Sequence, residues 1–180
     1  MLAMFSSAHD AQKQVFLNLQ SNKNGINKRI LEIDIEKCFD RINHSAIMNR
    51  LIAPCGLKLG IFRCLKAGKN PEFPKQGTCQ GGVISPLLAN IALNGIEKIH
   101  RYHAKNPRIR ITPKTKEKDI TYPSVRYADD MVFFLRPEDD EKELSRKINS
   151  FLKERALKIN ELKTHTTAST EGFDFLGWHF

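Results

Sequence analysis

Apolar residues recur along this chain at two spacings, one helical and one extended. Ala8, Ala11, Val15 and Leu19 share one face of a helix running from about Ala8 to Leu19, with Ser6 or Ser7 placed to cap it. Ser21-Asn22-Lys23-Asn24-Gly25 breaks that pattern. Arg29 to Ile35 then alternates as a strand, with Leu31, Ile33 and Ile35 on one face and Glu32 and Asp34 on the other. His44–Ile52 and Leu57–Ala67 read as two helices separated by Pro54 and Gly56, and Gly68 to Pro74 as a turn-rich connector. A glycine-rich loop, Gly77 to Gly82, leads into Ser85-Pro86, a cap followed by proline at the first helical position; a long apolar-faced helix to about His103 is predicted after it. Val125 to Leu135 is apolar on both sides of Ala128-Asp129-Asp130, the pattern of two strands joined by a tight turn. Pro137-Glu138-Asp139-Asp140 opens a helix that turns Leu144, Ile148, Phe151 and Leu152 inward, and Phe173 to Phe180 alternates as a strand. Strands and helices interleave without a repeating βαβ unit, which predicts an α+β domain: a small antiparallel sheet backed by helices.

Composition narrows the setting. At 180 residues the chain can bury one ordinary core. Lys and Arg number 29 against 20 Asp and Glu, and the net charge of +9 points to a polyanionic partner. No apolar run approaches the roughly 20 residues of a membrane span, and the opening Met1-Leu2-Ala3-Met4-Phe5 lacks a basic leader, so no membrane partner is expected. Cys38, Cys55, Cys64 and Cys79 form no C-x-x-C pair; they are expected to be reduced, mostly buried thiols of a cytoplasmic protein.

The chemistry concentrates in a few carboxylates. Asp34 sits near the end of an apolar strand and Asp129-Asp130 at the apex of an apolar hairpin. An Asp-Asp pair at a turn is ordinarily solvated turn chemistry. Here, however, it interrupts Val125-Arg126-Tyr127 and Met131-Val132-Phe133-Phe134-Leu135. Three carboxylates gathered at one sheet edge would repel unless a cation sat among them, and hard divalent ions with oxygen ligands answer that need. Two such ions can drive in-line phosphoryl transfer. Asp139-Asp140, after Pro137, is the internal control and is assigned to helix capping; Asp40 is expected to cap the next helix or to pair with Arg41.

These residues bring in a resemblance. Asp34-Ile35-Glu36-Lys37-Cys38-Phe39-Asp40-Arg41-Ile42 resembles polymerase motif A of reverse transcriptases. Gln80-Gly81-Gly82-Val83-Ile84-Ser85-Pro86-Leu87-Leu88-Ala89-Asn90-Ile91 resembles motif B, and Tyr127-Ala128-Asp129-Asp130 is similar to the Y-A-D-D of motif C. The wording of the second block is most like group II intron-encoded reverse transcriptases/maturases, and Phe175-Leu176-Gly177-Trp178 resembles the final palm block near the primer grip. The resemblance implies a polymerase-type palm performing RNA-directed DNA synthesis: a primer 3′-hydroxyl attacks the α-phosphate of a dNTP on an RNA template. It implies two Mg²⁺ ions, replaceable by Mn²⁺, on Asp34, Asp129, Asp130 and the Ile35 carbonyl. It further implies a triphosphate facing the backbone from Glu36 through Lys37 and Cys38 to Phe39, with Phe39 as a steric gate against a 2′-hydroxyl. The alternative reading of Phe39 is a core phenylalanine. Gln80 and Gly81 would lie against nucleotide and template, and Lys163 matches the motif D lysine that protonates leaving pyrophosphate. Gly177 and Trp178 would meet the primer. The basic stretch with Arg101, Lys105, Arg108, Arg110, Lys114, Lys116 and Lys118 would contact template–primer or intron RNA; read alone, it is equally a solvated insertion.

Against the family pattern, residues 1–28 look like the tail of a fingers region with the palm-entry helix, and residues 29–180 like the palm; thumb, maturase and endonuclease regions are not represented. That departure predicts exposed apolar patches, self-association or a need for missing segments. It also leaves open a second function, a noncatalytic, maturase-like RNA-binding remnant of a mobile element. A nucleotide cyclase, another two-carboxylate palm, is disfavoured because its Gly-Gly-Asp-Glu-Phe-type hairpin is absent.

Overall fold

The register of three strands organises the molecule. In the computed structural model, which describes residues 7–20, 27–67, 74–78, 82–99 and 122–180, strand β1 (Arg29–Ile33) lies between β3 (Asp130–Leu135) and β4 (His165–Ala168), and β2 (Ser124–Tyr127) pairs on the far side of β3. All pairings are antiparallel, giving the order β2-β3-β1-β4, with Ile33 opposite Met131, Tyr127 opposite Asp130 and Glu32 opposite His165. The predicted class, an antiparallel sheet with helices, is the one observed.

Period-two alternation sends neighbouring side chains to opposite faces. Leu31, Ile33, Met131, Phe133 and Leu135 form one buried face with helices α3 (His44–Arg50), α5 (Ser85–Leu93) and α6 (Glu141–Lys153), which contribute Ile47, Leu88, Ala92, Leu144 and Ile148. Ile30, Val125, Val132 and Phe134 form the other, covered by Ala11 and Val15 of α1 (Ala8–Leu19) and by Phe173 and Phe175. Each Val, Leu, Ile, Phe or Met among them removed from water contributes about 1.5–3 kcal/mol. Arg155, buried after α6, donates from Nε to the Ala92 carbonyl at 2.7 Å and ties α6 to α5.

Two of the predicted caps form and two do not. Ser7 caps α1 by accepting from the Asp10 N–H, and Asp140 caps α6 by accepting from Lys142, as assigned. Asp40 does not cap the next helix: it lies inside the one-turn helix α2 (Cys38–Arg41), and Asn43 caps α3 through the Ser45 N–H. Helix α4 covers Cys55–Ala67. Helix α5 stops at Leu93 rather than near His103, because Gly95 takes φ +103 and turns the chain into a 3₁₀ segment, Ile96–Lys98. Its cap is Ile84, with Ser85 already helical. The C-terminal stretch is not one strand but a small hairpin, β5 (Asp174–Phe175) and β6 (Trp178–His179), reversed at Leu176 and Gly177 with φ +53 and +79. Of the cysteines described, Cys38 is buried but Cys55 and Cys64 are exposed, contrary to the expectation of mostly buried thiols; both sit on the solvent side of α4. No described helix is long and apolar enough to cross a membrane.

Candidate active site

The site begins where the apolar ladder runs out. One step beyond the Ile33–Met131 pair, the register brings Asp34 level with Asp130, on the face that carries Ile30, Val132 and Phe134. There a cleft of about 220 Å³ is lined by Glu32, Asp34, Asp130, Lys163 and Asp174 with Phe175 as part of its wall. A larger groove of about 570 Å³ between α1 and the C-terminal residues is mainly apolar, with Phe16, Leu19 and Phe180, and no Asp or Glu side chain lines it.

Asp34 is fixed twice by one residue. Its carbonyl accepts from the Asn160 N–H at 2.9 Å, and its Oδ2 accepts from Asn160 Nδ2 at 2.9 Å. Lys163 Nζ stands 4.0 Å from the same oxygen. Ile35, buried next door, makes an isolated bridge with Ile159; the Asp34 carbonyl and the Glu36 N–H make its hydrogen bonds, not the Ile35 carbonyl.

The acids share one electrostatic field. Burial raises both Asp129 and Asp130 above the ordinary carboxylate range. Asp129 is pulled back by its own backbone hydrogen bond and raised further by Asp34. Asp130 is raised further by Asp129 and Asp34 and eased by Lys163. The buried Cys38 thiol is pushed up to about 12, first by burial and then by Asp129, so it stays protonated and is no nucleophile. Asp129, in the turn before Asp130, does not line this cleft, whereas Glu32 does: burial raises it and Asp174 adds to this, while His165, with Nε2 at 3.1 Å, opposes.

No three His, Cys, Asp or Glu side chains among the described residues are gathered closely enough to cage an ion by themselves. Mg²⁺ demands less: one or two carboxylates, with water and substrate phosphates completing the shell. The hard oxygens of Asp129 and Asp130, whose ionisation is held back first by burial and then by neighbouring carboxylates, fit that donor chemistry.

The other candidate residues divide. Lys37, at φ +46, is the cap residue of α2; Cys38 is buried and Phe39 is half-buried against the core. The Glu36 N–H is taken by the Lys158 carbonyl at 3.0 Å, so it does not face an anion; the sequence pattern gave no sign of a partner so far along the chain. Gly177 and Trp178 lie just past the cleft wall, with Trp178 42 % exposed and edge-on to His9. Gln80 and Gly81, and the basic residues Arg101, Lys105, Arg108, Arg110, Lys114, Lys116 and Lys118, lie outside the described residues.

Three features were not anticipated. Asn160 had no local signal. The start of the glycine-rich loop is stapled to α2: the Gly77 N–H donates to the Ile42 carbonyl at 2.8 Å, the Thr78 N–H to the Phe39 carbonyl at 2.7 Å, and buried His44 meets the Gly77 carbonyl at 2.8 Å. Arg126, buried in β2, bonds Glu97, Asn90 and the Ala128 carbonyl; a charge in an apolar strand was its visible sign.

Comparison with known proteins is consistent with this geometry. The sequence profile described as reverse transcriptase (RNA-dependent DNA polymerase) matches residues 2–180. Maturase-like protein 1 of Euglena gracilis is 40 % identical over 172 residues, covering 96 % of this chain and 32 % of the relative. The group II intron-encoded protein LtrA of Lactococcus lactis subsp. cremoris is 27 % identical over 203 residues, covering 82 % of this chain and 34 % of its own length. The chain thus spans about a third of these relatives. Among solved structures, apo telomerase from Candida tropicalis truncated from its C-terminal domain superposes with a TM-score of 0.62 at 16 % identity, over 98 % of this chain and 39 % of that one, a likeness of fold.

Proposed function

Because the chain belongs to the reverse transcriptase (RNA-dependent DNA polymerase) family, we propose that residues 29–180 are a polymerase palm, entered through the α1 region, that extends a DNA primer on an RNA template. The observation that carries this reading is the shared field of Asp34, Asp129 and Asp130 at the open end of the β1–β3 ladder. Asp34, Asp129, Asp130 and the Ile35 carbonyl would hold two Mg²⁺ or Mn²⁺ ions. When bound, such ions activate an attacking oxygen and stabilise a leaving one.

The chain's own residues do the rest. Asn160 holds Asp34 in one orientation, so its free lone pairs point the same way in every molecule. Lys163 stands beside Asp34, where an ammonium can neutralise and then protonate a departing pyrophosphate. The amides of Lys37, Cys38 and Phe39 open α2, and the first N–H groups of a helix have no intrahelical acceptor, so they suit a triphosphate. The Phe39 carbonyl accepts from the Thr78 N–H, which ties down the backbone carrying the ring that would exclude a 2′-hydroxyl. Gln80 and Gly81, two and three residues beyond that contact, would meet nucleotide and template. The basic run from Arg101 to Lys118, with Gly177 and Trp178, would contact template–primer or intron RNA.

Incubation of the purified chain with a primed RNA template, dNTPs and Mg²⁺ or Mn²⁺ tests the reading. Primer extension is expected, with a loss of at least about a thousandfold in Asp129→Ala. A folded wild-type chain that adds no nucleotide with Mn²⁺ and excess protein contradicts it. The similarity to maturase-like proteins favours the second reading, noncatalytic RNA binding, in that event. Salt-sensitive RNA affinity unchanged in Asp129→Ala would be its mark.

A further inference from the structure

Strand β2 buries a full positive charge three residues before Asp129 and pairs it elsewhere. The Arg126 side chain is 2 % exposed, and its Nε donates to Glu97 Oε1 at 2.7 Å. Its Nη1 donates to Asn90 Oδ1 at 2.6 Å and to the Ala128 carbonyl at 3.0 Å, while Nη2 is buried without an acceptor. Glu97 is itself held by the Gly95 N–H at 3.1 Å. One guanidinium therefore joins α5, the 3₁₀ segment and the hairpin turn.

The turn needs such a hold. Ala128 stands at φ +56, a conformation usually left to glycine at the first position of a two-residue hairpin loop. Its carbonyl is the group that Arg126 grips, and the next two residues are Asp129 and Asp130. Glu97 balances the buried charge, so the arginine can hold the backbone without drawing Asp129 into an ion pair of its own.

We propose that Arg126 is a positioning residue: through the Ala128 carbonyl it locks the strained turn that presents Asp129 and Asp130, and through Asn90 and Glu97 it anchors that turn to the helix following the glycine-rich loop. This inference rests on the polymerase reading for its purpose but not for its geometry. Lysine cannot replace the planar fork, because one ammonium cannot serve three acceptors set on different elements in the same way.

The test compares the full chain with Arg126→Lys and, as a milder second variant, Asn90→Ala. In metal-free protein, amide exchange at Ala128–Asp130 is expected to rise roughly tenfold in Arg126→Lys, while Tm and exchange in the β1–β3 ladder stay near wild type. Mn²⁺ affinity, followed by electron paramagnetic resonance, is expected to fall roughly tenfold, and kcat for primer extension to fall with KM for dNTP unchanged. Asn90→Ala should show the same local pattern at smaller size, and it decides the matter if Arg126→Lys does not fold. Wild-type exchange and Mn²⁺ affinity in the variants overturn the proposal. Exchange that rises across the whole sheet in step with a fall in Tm also overturns it, since it reduces Arg126 to general stability. A wild-type chain that binds no Mn²⁺ overturns the metal site itself and this role with it, an outcome distinct from variant and wild type binding equally well.

Discussion

Asp130 shows how a site can be set against the stability of the fold that carries it. Its carboxyl is raised from the ordinary 3.8 by burial and by Asp129 and Asp34, so the folded chain keeps this proton to higher pH than the unfolded chain does. The stabilising contribution is therefore full below that ordinary value and is lost as pH rises through the folded one. Asp130→Asn should raise Tm at pH 7 in metal-free buffer, with the advantage vanishing toward pH 4; thermal melts across that range check it, and an equal or lower Tm at pH 7 contradicts the repulsion. Asn160→Ala removes the bond to the Asp34 carboxylate and should lower kcat about tenfold with little change in KM for dNTP, measured by steady-state extension. The carboxylates were legible in the sequence because acids broke an apolar alternation. Arg126 broke the same alternation and could be found by the same rule. Asn160 could not, since its partner Asp34 lies 126 positions away and asparagine is ordinary in a polar loop.

Elements were legible where periodicity and burial coincide. Strand β1 and the β2–β3 hairpin are buried on both faces and show it in dense apolar runs. Strand β4, His165–Ala168, is an edge strand of His and Thr, half exposed along its length, and carried no apolar alternation to mark it. The overlong helix after Ser85 arose because Ile96 and Ile99 continue the apolar spacing past Gly95, whose left-handed backbone ends the helix. Gly77 is a sharper case of glycine as a requirement. Its φ is +85, and a Cβ there would stand 2.8 Å from the Asp40 carbonyl oxygen. Gly77→Ala is expected to cost at least about 1–2 kcal/mol in backbone conformation, with the steric overlap added, and to loosen the staple between α2 and the segment leading to Gln80. Chemical denaturation measures the loss; stability within a few tenths of wild type would show that the staple yields at no cost.

At the scale of the whole molecule, a sheet packed on both faces is left open at one end, and the acids occupy that end. Rigid strands fix the backbones on either side of the cleft, and the +9 charge belongs to the chain as a whole, not to this acidic end. Asp34 follows β1 and Asp129 sits in the β2–β3 turn, far apart in the sequence, so only the fold can bring them to one ion. Cleavage of the chain by hydroxyl radicals from Fe²⁺ bound in the proposed metal site tests that most directly. The account predicts two cuts, near residues 34 and 129, both suppressed by excess Mg²⁺ and both lost in Asp129→Ala; cleavage at one of the two positions alone, or at neither, would contradict it.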